Sequence, residues 1–402
     1  MKILVLNAGS SSLKYQLFDM ESGDVLSKGV CERIGMSGTL GTVTHKRPGA
    51  ENLDLELDLP NHSVALETVL GLLTSPEHGV IASIQEIDAV GHRVVHGGEE
   101  LTKSTRVTES VIRYLETIVP INPLHGPPAI AGMKACVALM PEVPQVVVVD
   151  TSFYSDIEDY RFVYPIPYEF YEKDHVRRYG FHGTSHRYVS EQLAKILGKP
   201  LEDLKVVTCH LGNGSSLTAV QGGKAVDTSM GFTPQEGIIM GTRSGSLDPT
   251  VVTYLMKKHG YTPDEMETIL NKKSGLLGIS GLSNDCRNIT AAAAEGNPRA
   301  VLALKMLVGS IKRYIGMYTA EMNGIDALVF TAGIGENQWN VRQLVCENMS
   351  YLGIEIDEEK NRNFERGVPF EITKEGARVA TWIIPTDEEY MIAIDTQRIV
   401  TQ

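Results

Sequence analysis

Cysteine is scarce in this sequence and shows no pairing pattern. The five cysteines, Cys31, Cys136, Cys209, Cys286 and Cys346, are scattered, odd in number and never form a CxxC pair. Such spacing argues against a disulfide framework and a structural zinc site, and it is typical of a reducing compartment. No apolar run approaches membrane-spanning length, and the first residues lack the pattern of a signal peptide. We therefore expect a soluble cytoplasmic protein with no membrane partner.

Positive charge is also in short supply. The chain has 37 lysines and arginines against 50 aspartates and glutamates, a formal net charge of −13. An acidic surface repels nucleic acids and anionic membranes, so we expect neither as a partner. A few local arginines can still bind a small anion. The length of 402 residues exceeds one ordinary hydrophobic core and predicts two domains.

Several common catalytic motifs are missing. The sequence has no GxxxxGK[ST], no GxGxxG after a strand, no protein-kinase signature set and no GxSxG around any serine. These absences weigh against P-loop, Rossmann, protein-kinase and α/β-hydrolase scaffolds. Ser185 and His186 adjoin in sequence, which does not produce the geometry of a catalytic triad.

Three Gly/Ser-rich turns stand next to predicted strands. The first follows the apolar run Ile3–Leu6, in NAGSSSLK; the others are HLGNGSS at 210–216 and TAGIGEN at 331–337. Such a turn presents backbone N–H groups and hydroxyls to one point, and Lys14 can add a positive charge there. Three of them predict a nucleotide held from several sides.

The order of strands and turns is repeated along the chain. Ile3–Leu6, Leu13–Phe18 and Val25–Val30 read as a three-stranded meander, and the hairpin signal Ser22-Gly23-Asp24 joins its last two strands. A second meander is predicted from the strands Val206–Leu211, Leu217–Val220 and Lys224–Val226. Because each meander has a phosphate-type turn after its first strand, we interpret the pair as an internal duplication.

Helical periodicity separates these strands. It predicts helices at Ser63–Leu73, Ser110–Thr117 and Ser190–Leu197, and a helical region from Ala291 past Pro298 to Met322. Two further buried strands are predicted at Val146–Val149 and Asp326–Thr331. Alternating strands and helices indicate an α/β architecture, and the strong strand before Asp150 suggests a domain boundary there.

Two arginines stand in glycine-rich segments. Arg93 lies in GHRVVHGG and Arg243 in MGTRSG. A lone arginine of this kind can be a surface salt bridge, but two in low-bulk settings fit a carboxylate or a transferring phosphoryl group. Asp150 follows a buried strand, where a carboxylate either points into a ligand crevice or caps a helix.

Two other polar segments have alternative interpretations. In GFHGTSH, Thr184 or Ser185 is predicted as the N-cap of a helix, with His182 as a structural or functional histidine. In PTDEE, Glu388 and Glu389 form either a metal-binding turn or the acidic first turn of a C-terminal helix.

Taken together, these motifs resemble the acetate kinase family. NAGSSSLKYQL, GHRVVHGGE, RRYGFHGTSH, HLGNGSS, DTSMGFTPQEG, MGTRSGSLDP, NKKSG, LSND, FTAGIGEN and PTDEE occur in the family's order, from residue 1 to about residue 395. The resemblance implies two duplicated ribonuclease-H-like domains of the actin-like ATPase type, with a nucleotide cleft between them. We expect residues 1–150 with about 386–402 in the first domain, and residues 151–385, with most of the nucleotide site, in the second.

The resemblance also implies a reaction. It is reversible, magnesium-dependent phosphoryl transfer from ATP to acetate, giving acetyl phosphate and ADP, as in acetyl-CoA biosynthesis. Mg²⁺, with Mn²⁺ as a substitute, is the implied cofactor, and a homodimer is the implied assembly. A kinase for propionate or butyrate and a non-enzymatic ATP-binding switch are the alternatives. The paired arginines and Asp150 argue against a switch, since a switch needs no second anion site.

Site residues follow from the resemblance position by position. Asp150, Arg93, Arg243 and His182 match catalytic positions, and Asn7 and Glu388 match magnesium positions. The acyl pocket around Arg93 is matched by Val95, Leu124, His125, Phe181 and Pro234. The nucleotide positions are matched by Lys14, His210, Leu211, Gly212, Asn213, Gly214, Asp285, Cys286, Arg287, Gly333, Ile334, Gly335, Glu336 and Asn337. The sequence departs from the family's usual residues at Gly126, Ser152, Tyr154 and Asp387, and the departures near the active-site motifs bear on substrate preference and rate.

Overall fold

The structure is a computed structural model that describes residues 1–402. The chain divides into two compact units: unit 1 comprises Met1–Ser155 and Asp387–Gln402, and unit 2 comprises Asp156–Thr386. None of its helices combines the length and the apolar character that crossing a membrane requires.

Fourteen strands and fifteen α-helices are formed. The strands are β1 Lys2–Gly9, β2 Ser12–Asp19, β3 Asp24–Glu32, β4 Gly41–Lys46, β5 Leu53–Leu57, β6 Ala89–Val94, β7 Thr105–Arg106, β8 Gln145–Val149, β9 Lys205–Leu211, β10 Ser215–Gln221, β11 Lys224–Thr228, β12 Ala327–Thr331, β13 Phe370–Glu371 and β14 Ala380–Ile383. The helices are α1 His62–Leu73, α2 Glu109–Thr117, α3 Gly126–Leu139, α4 Asp159–Phe162, α5 Glu169–Asp174, α6 Gly183–Leu197, α7 Pro249–His259, α8 Pro263–Lys272, α9 Gly275–Ser280, α10 Cys286–Ala294, α11 Pro298–Glu321, α12 Ala332–Asn337, α13 Trp339–Cys346, α14 Glu358–Arg362 and α15 Glu388–Val400.

Unit 1 is built on an eight-stranded sheet in the order β5-β4-β3-β2-β1-β6-β8-β7. Side chains alternate across a strand, so β1 contributes to two separate cores. Leu4 and Leu6 pack with residues of α1 and α3 on one face. Ile3 and Val5 pack with α15 on the other face. The sheet is covered on both sides, which is why β1 and β8 read as continuous apolar runs in the sequence.

Unit 2 is built on a six-stranded sheet in the order β11-β10-β9-β12-β14-β13. The long helix α11 packs against the face that carries Val207, Cys209 and Leu211. The opposite face of β9 carries Thr208 and His210, and both are buried. Polar side chains therefore alternate with apolar ones on a fully buried strand, which requires hydrogen-bond partners within the protein.

The two sheets share a common plan. In unit 1, β3-β2-β1 are antiparallel and β1-β6-β8 are parallel. In unit 2, β11-β10-β9 are antiparallel and β9-β12-β14 are parallel. The predicted α/β class and the predicted duplication are both confirmed by this repeated order.

One buried histidine makes the stability of unit 1 depend on pH. His92 on β6 contacts Gln145 on β8, with Nε2 and Oε1 2.9 Å apart. Burial lowers the pKa of His92 from its ordinary value of 6.5 to about 4. The unfolded chain therefore binds this proton more readily, and the stabilisation present above pH 6.5 is lost as the pH falls towards 4.

We expect His92→Gln to remove part of the acid sensitivity. Between pH 7 and pH 4.5 the wild type should lose roughly 2–3 kcal/mol more unfolding free energy than the variant. Denaturant titrations of both proteins at the two pH values measure this, with His259→Gln, a change at an exposed position on α7, as the control. An equal loss in His92→Gln and wild type would contradict the assignment.

One detail of the predicted helices is wrong. Helix α6 begins at Gly183, directly after His182, so neither Thr184 nor Ser185 is its N-cap. His182 has φ of +58°, in the left-handed region, and its side chain makes no capping hydrogen bond. Thr184 and Ser185 are buried within the first turn instead.

Candidate active site

In unit 1, an arginine and two carboxylates meet at the ends of parallel strands. Arg93 lies on β6, Asp150 directly follows β8, and Glu388 is in the first turn of α15. The Arg93 Nη2 atom is 2.8 Å from Asp150 Oδ2 and 3.5 Å from Glu388 Oε2. Asp150 is 1% exposed, so this is a buried ion pair rather than the surface salt bridge considered from sequence.

The charge balance of this cluster holds Arg93 cationic. Burial acts to lower the pKa of Arg93, but the charges of Asp150 and Glu388 outweigh it and raise the pKa above its usual range. The Arg93 Nε atom is buried and has no hydrogen-bond partner. An unsatisfied buried donor is costly to the folded state.

The first Gly/Ser turn lies in the same unit. Gly9 pairs with Ser12 across the hairpin, and Asn7 pairs with Lys14 two residues further from the turn. Lateral partners on antiparallel strands project to the same face of the sheet. The predicted magnesium residue and the predicted phosphate-contacting lysine are thus brought together.

The residues of unit 1 that were predicted to form an acyl pocket differ in burial. Val95 follows β6 and is half-buried, whereas His125 is exposed and the Leu124 side chain is 69% exposed. Gly97 N donates to Thr151 Oγ1 over 3.0 Å, which ties the segment after Val95 to the segment after Asp150.

In unit 2, the second Gly/Ser turn connects β9 and β10. Ser215 closes it, since its Oγ atom is 2.8 Å from Gly212 O and 3.1 Å from Gly212 N. The turn is also tied to the Arg243 segment, because Gly241 N donates to Asn213 O over 3.1 Å. Register and backbone bonds therefore hold the glycines in place.

Two cationic or ionisable side chains converge on this turn. A Cβ atom added at Gly214 would lie 3.2 Å from Arg243 Nη1 and 3.7 Å from both Cε1 and Nε2 of His182. Arg243 Nη1 donates to Pro234 O over 2.9 Å, but no carboxylate pairs with Arg243. Burial lowers the pKa of Arg243. A half-buried arginine without an acidic partner is a site that an anion would stabilise.

A histidine pair stands beside the turn. The rings of His182 and His210 are stacked, with centroids 4.1 Å apart. His210 Nδ1 is 2.8 Å from Ser185 Oγ, which in turn is 2.7 Å from Thr386 Oγ1. Both histidines predicted from the sequence are thus placed next to the glycines at 212–214.

The third turn opens the short helix α12. Ala332 has φ of +63°, and its N–H donates to Glu336 Oε1 over 2.8 Å. The same Glu336 oxygen is 3.3 Å from Thr386 N. Glu336 therefore has an internal role in shaping the turn. A Cβ on Gly333 would meet nothing within 4 Å, whereas Gly335 is buried and a Cβ there would lie 3.4 Å from Cys209 O.

The predicted adenosine segment at 285–287 starts helix α10. Asp285 caps the helix by accepting from Arg287 N, and its carboxylate also pairs with the Arg287 guanidinium, Nη2 to Oδ2 at 2.6 Å. Cys286 is buried. Among the remaining pocket residues, Phe181 is buried in unit 2 and Pro234 receives the Arg243 hydrogen bond.

The structure describes two of the positions at which the sequence differs from the family's usual residues. Asp387 is the N-cap of α15 and accepts from Tyr390 N over 2.8 Å. Glu388 and Glu389 consequently lie in the first turn of that helix, one of the two alternatives raised by the sequence. Tyr154 is buried in unit 1.

Known proteins of one family resemble this chain over nearly its whole length. The model of the Acetokinase family matches residues 2–394. This chain belongs to the acetokinase family. An acetate kinase of Caldanaerobacter subterraneus subsp. tengcongensis is 56% identical over 401 residues, covering 100% of this chain and 99% of that protein. The crystal structure of Porphyromonas gingivalis acetate kinase superposes with a TM-score of 0.95 at 46% identity, covering 99% of both chains. The crystal structure of a propionate kinase from Francisella tularensis subsp. tularensis has a TM-score of 0.90 at 39% identity and 99% coverage of both chains.

Proposed function

We propose that this protein transfers the terminal phosphoryl group of ATP to acetate, giving acetyl phosphate and ADP, and catalyses the reverse reaction. The observation that carries the proposal is the convergence of Arg243 and His182 on the side-chain-free position at Gly214. Catalysis of phosphoryl transfer depends mainly on positioning the reactants and on stabilising negative charge, and Arg243 and His182 can contribute to both. Its acetokinase membership and its acetate kinase relatives support the choice of acceptor.

Arg93 is proposed to hold the acceptor carboxylate. Acetate is fully ionised near neutral pH, so it needs no general base before it attacks phosphorus. Asp150 already bonds Arg93 Nη2, and we assign it the role of orienting that guanidinium rather than of removing a proton. The Arg93 side chain is 20% exposed, so part of it remains accessible to the substrate.

Arg243 and His182 are proposed to stabilise the group in transfer. An acetate oxygen forms a bond to the terminal phosphorus, the bond from phosphorus to the bridging oxygen breaks in line, and ADP leaves with that electron pair. Negative charge spreads over the three equatorial oxygens during this step. A guanidinium can contact two of these oxygens at once, which offsets the repulsion between the two anionic reactants.

The remaining nucleotide contacts are proposed from the three turns. Lys14 is exposed on β2. Its ammonium group would contact a phosphate of the nucleotide. Residues His210 to Gly214 would contact the phosphates, and the segments 285–287 and 333–337 would bind adenosine. We also propose units 1 and 2 as the two functional domains, with most nucleotide contacts in unit 2.

Magnesium is the cofactor that these residues suit. Mg²⁺ prefers oxygen ligands and is usually held by one or two protein groups together with waters and phosphates. Asn7 and Glu388 offer an amide and a carboxylate oxygen, and α15 packs against β1. No three His, Cys, Asp or Glu side chains come together as a metal cage. Bound there, Mg²⁺ or Mn²⁺ would neutralise phosphate charge.

We further propose a cytoplasmic homodimer. All five cysteines are free and buried, as in a reducing compartment. Large apolar side chains are exposed on α7 and α11, including Tyr254, Leu302 and Met306, and such surfaces are typical of association sites. Sedimentation equilibrium tests the dimer, and a monomer at micromolar concentration would contradict it.

The direct test is acyl phosphate formation. ATP, Mg²⁺ and hydroxylamine are incubated with the protein and acetate, propionate or butyrate, and hydroxamate is measured against reactions lacking ATP. We expect the highest kcat/KM with acetate. A preference for propionate would transfer the assignment to the activity named for the Francisella relative, and no product with any acid would overturn the proposal.

Val95 provides a specificity test. Its half-buried side chain follows Arg93 by two residues, so we expect Val95→Ala to enlarge the acyl pocket. One methylene in such a pocket is worth about 1–3 kcal/mol, so the propionate-to-acetate ratio of kcat/KM should rise roughly tenfold or more. Val107→Ala, which alters an apolar residue beyond β7, is the control. An unchanged ratio would remove Val95 from the pocket.

A further inference from the structure

A chain of hydrogen bonds leads from the buried face of β9 to His182. His186 Nδ1 is 2.6 Å from Thr208 Oγ1, and His186 Nε2 is 2.7 Å from Ser216 Oγ. The same Ser216 oxygen is 2.9 Å from His182 Nδ1. Thr208, Ser216 and His186 are completely buried, so water does not compete for these bonds. We call these three residues the relay.

The positions of the protons follow from a count of donors. Each hydroxyl has one proton, and each neutral imidazole has one N–H. The Thr208 hydroxyl has a carbonyl acceptor, Thr218 O at 3.4 Å. When it donates there, it accepts from His186 Nδ1–H. His186 Nε2 is then an acceptor for the Ser216 hydroxyl, and the Ser216 oxygen accepts from His182 Nδ1–H.

The opposite direction fails when His182 is charged. In that direction Ser216 would donate to His182 Nδ1, which must then be unprotonated. An imidazolium has protons on both nitrogens. Only the direction that ends in His182 Nδ1–H persists when the ring gains a second proton, and only the cation adds positive charge beside the transferring phosphoryl group. The charged Arg243, near Gly214, and the titratable ring of His210, stacked on His182, face His182 within unit 2.

His186 is suited to remain neutral in this chain. Burial, and secondarily the nearby His210 ring, lowers the pKa of His186 well below its usual value. A neutral His186 always has one acceptor nitrogen, which the relay requires. The stacking of His210 on His182 adds a flat surface that restricts rotation of the His182 ring.

We propose that Thr208, His186 and Ser216 are positioning residues that hold the proton of His182 on Nδ1 and leave Nε2 on the ring edge that faces the second Gly/Ser turn. The two atoms of this edge, Cε1 and Nε2, both lie 3.7 Å from a Cβ built on Gly214. In the neutral ring Nε2 carries a lone pair and can only accept a hydrogen bond. In the cation it carries a proton and can donate to a phosphoryl oxygen. The role of His182 in phosphoryl transfer rests on the proposed function. The position of its proton does not depend on that function.

Nuclear magnetic resonance of the ring nitrogens measures the proton position directly. The full-length protein is labelled with ¹⁵N-histidine, and the His182 signals are identified by their loss in His182→Gln. We expect His182 to carry its proton on Nδ1 in the wild type. A wild-type His182 protonated on Nε2 alone would overturn the proposal.

Thr208→Val tests the coupling across the three hydrogen bonds that join Thr208 to His182. Without the Thr208 oxygen, His186 can place its proton on Nε2, Ser216 can turn to His182, and the His182 proton should move to Nε2. Thr208→Ser keeps the hydroxyl and should keep the wild-type pattern. An unmoved His182 proton in folded Thr208→Val would overturn the relay. If Thr208→Val does not fold, Ser216→Ala removes the direct bond and is read in the same way.

Kinetics provide the second readout. Loss of an outer partner of a functional histidine typically costs about 10–100-fold, so kcat of Thr208→Val should fall by roughly that factor with little change in the KM for ATP. Thr319→Val removes a buried hydroxyl that bonds only Ile315 O within α11, and it should retain wild-type kcat. If the protein forms no acyl phosphate yet His182 carries its proton on Nδ1, the proposed function fails and the relay remains.

Discussion

Arg93→Ala should lower kcat for acetyl phosphate formation by roughly a hundredfold or more, the usual cost of losing a charged transition-state contact. Two effects contribute. On our proposal the acceptor carboxylate loses the guanidinium that holds it, and Asp150, which is 1% exposed, loses an ion-pair partner at 2.8 Å. Removing one partner of a buried ion pair costs about 3–5 kcal/mol of unfolding free energy, so the melting temperature should fall as well.

Arg93→Lys separates the two effects. It retains a positive charge for Asp150 but lacks the planar fork that binds two oxygens at once. We expect this variant to regain stability and still lose at least about tenfold in kcat/KM for acetate. Arg113→Ala changes an exposed arginine of unit 1 that pairs only with Glu109, and serves as control. Wild-type kcat in Arg93→Ala would remove Arg93 from the site.

Gly214→Ala should also reduce kcat, on the order of a hundredfold, because misplacing a reacting group by about 1 Å costs that much. The added methyl would sit 3.2 Å from Arg243 Nη1 and close to the His182 ring. It would therefore occupy the space that we assign to phosphate and displace the arginine. The backbone of Gly214 is outside the left-handed region, so the effect is steric.

Gly71→Ala provides the matched control for this substitution. Gly71 lies within α1, and a Cβ there meets nothing within 4 Å. Alanine in a helix interior is favoured over glycine by about 0.5–1 kcal/mol, so this variant should be slightly more stable and fully active. Equal kcat for Gly214→Ala and Gly71→Ala would show that no phosphate approaches Gly214.

Local features of the sequence predicted much of the fold. The apolar runs before each Gly/Ser turn are strands, as expected, because a short buried strand between turn residues has few alternatives. The repeated strand order was predictable from the two meanders. The strands β4 and β5, at one side of the unit 1 sheet, and the helices α7 to α9 were not predicted. Helix α7 has no buried residue and α8 has one, so neither presents a wide core-facing apolar stripe.

Candidate site residues could be predicted where a single sequence motif contains them. Contacts between residues that lie far apart in the sequence were less predictable. Arg93, Asp150 and Glu388 were named from the sequence, but their contact depends on strand order and on α15. Thr208 and Ser216 were not identified, because their role comes from the register of β9 and β10. Their detectable signal was a polar residue at every second position of otherwise apolar strands.

Two backbone conformations beside the second Gly/Ser turn have a consequence for engineering this enzyme. His182 and Ala332 are non-glycine residues with positive φ, a geometry that costs L-residues about 1–2 kcal/mol. Glycine at position 332 would relieve that cost and lose a similar amount through the greater freedom of the unfolded chain. Thermostability selections therefore have little to gain at these positions, and directed evolution towards heat resistance should leave them unchanged while it alters the surface helices.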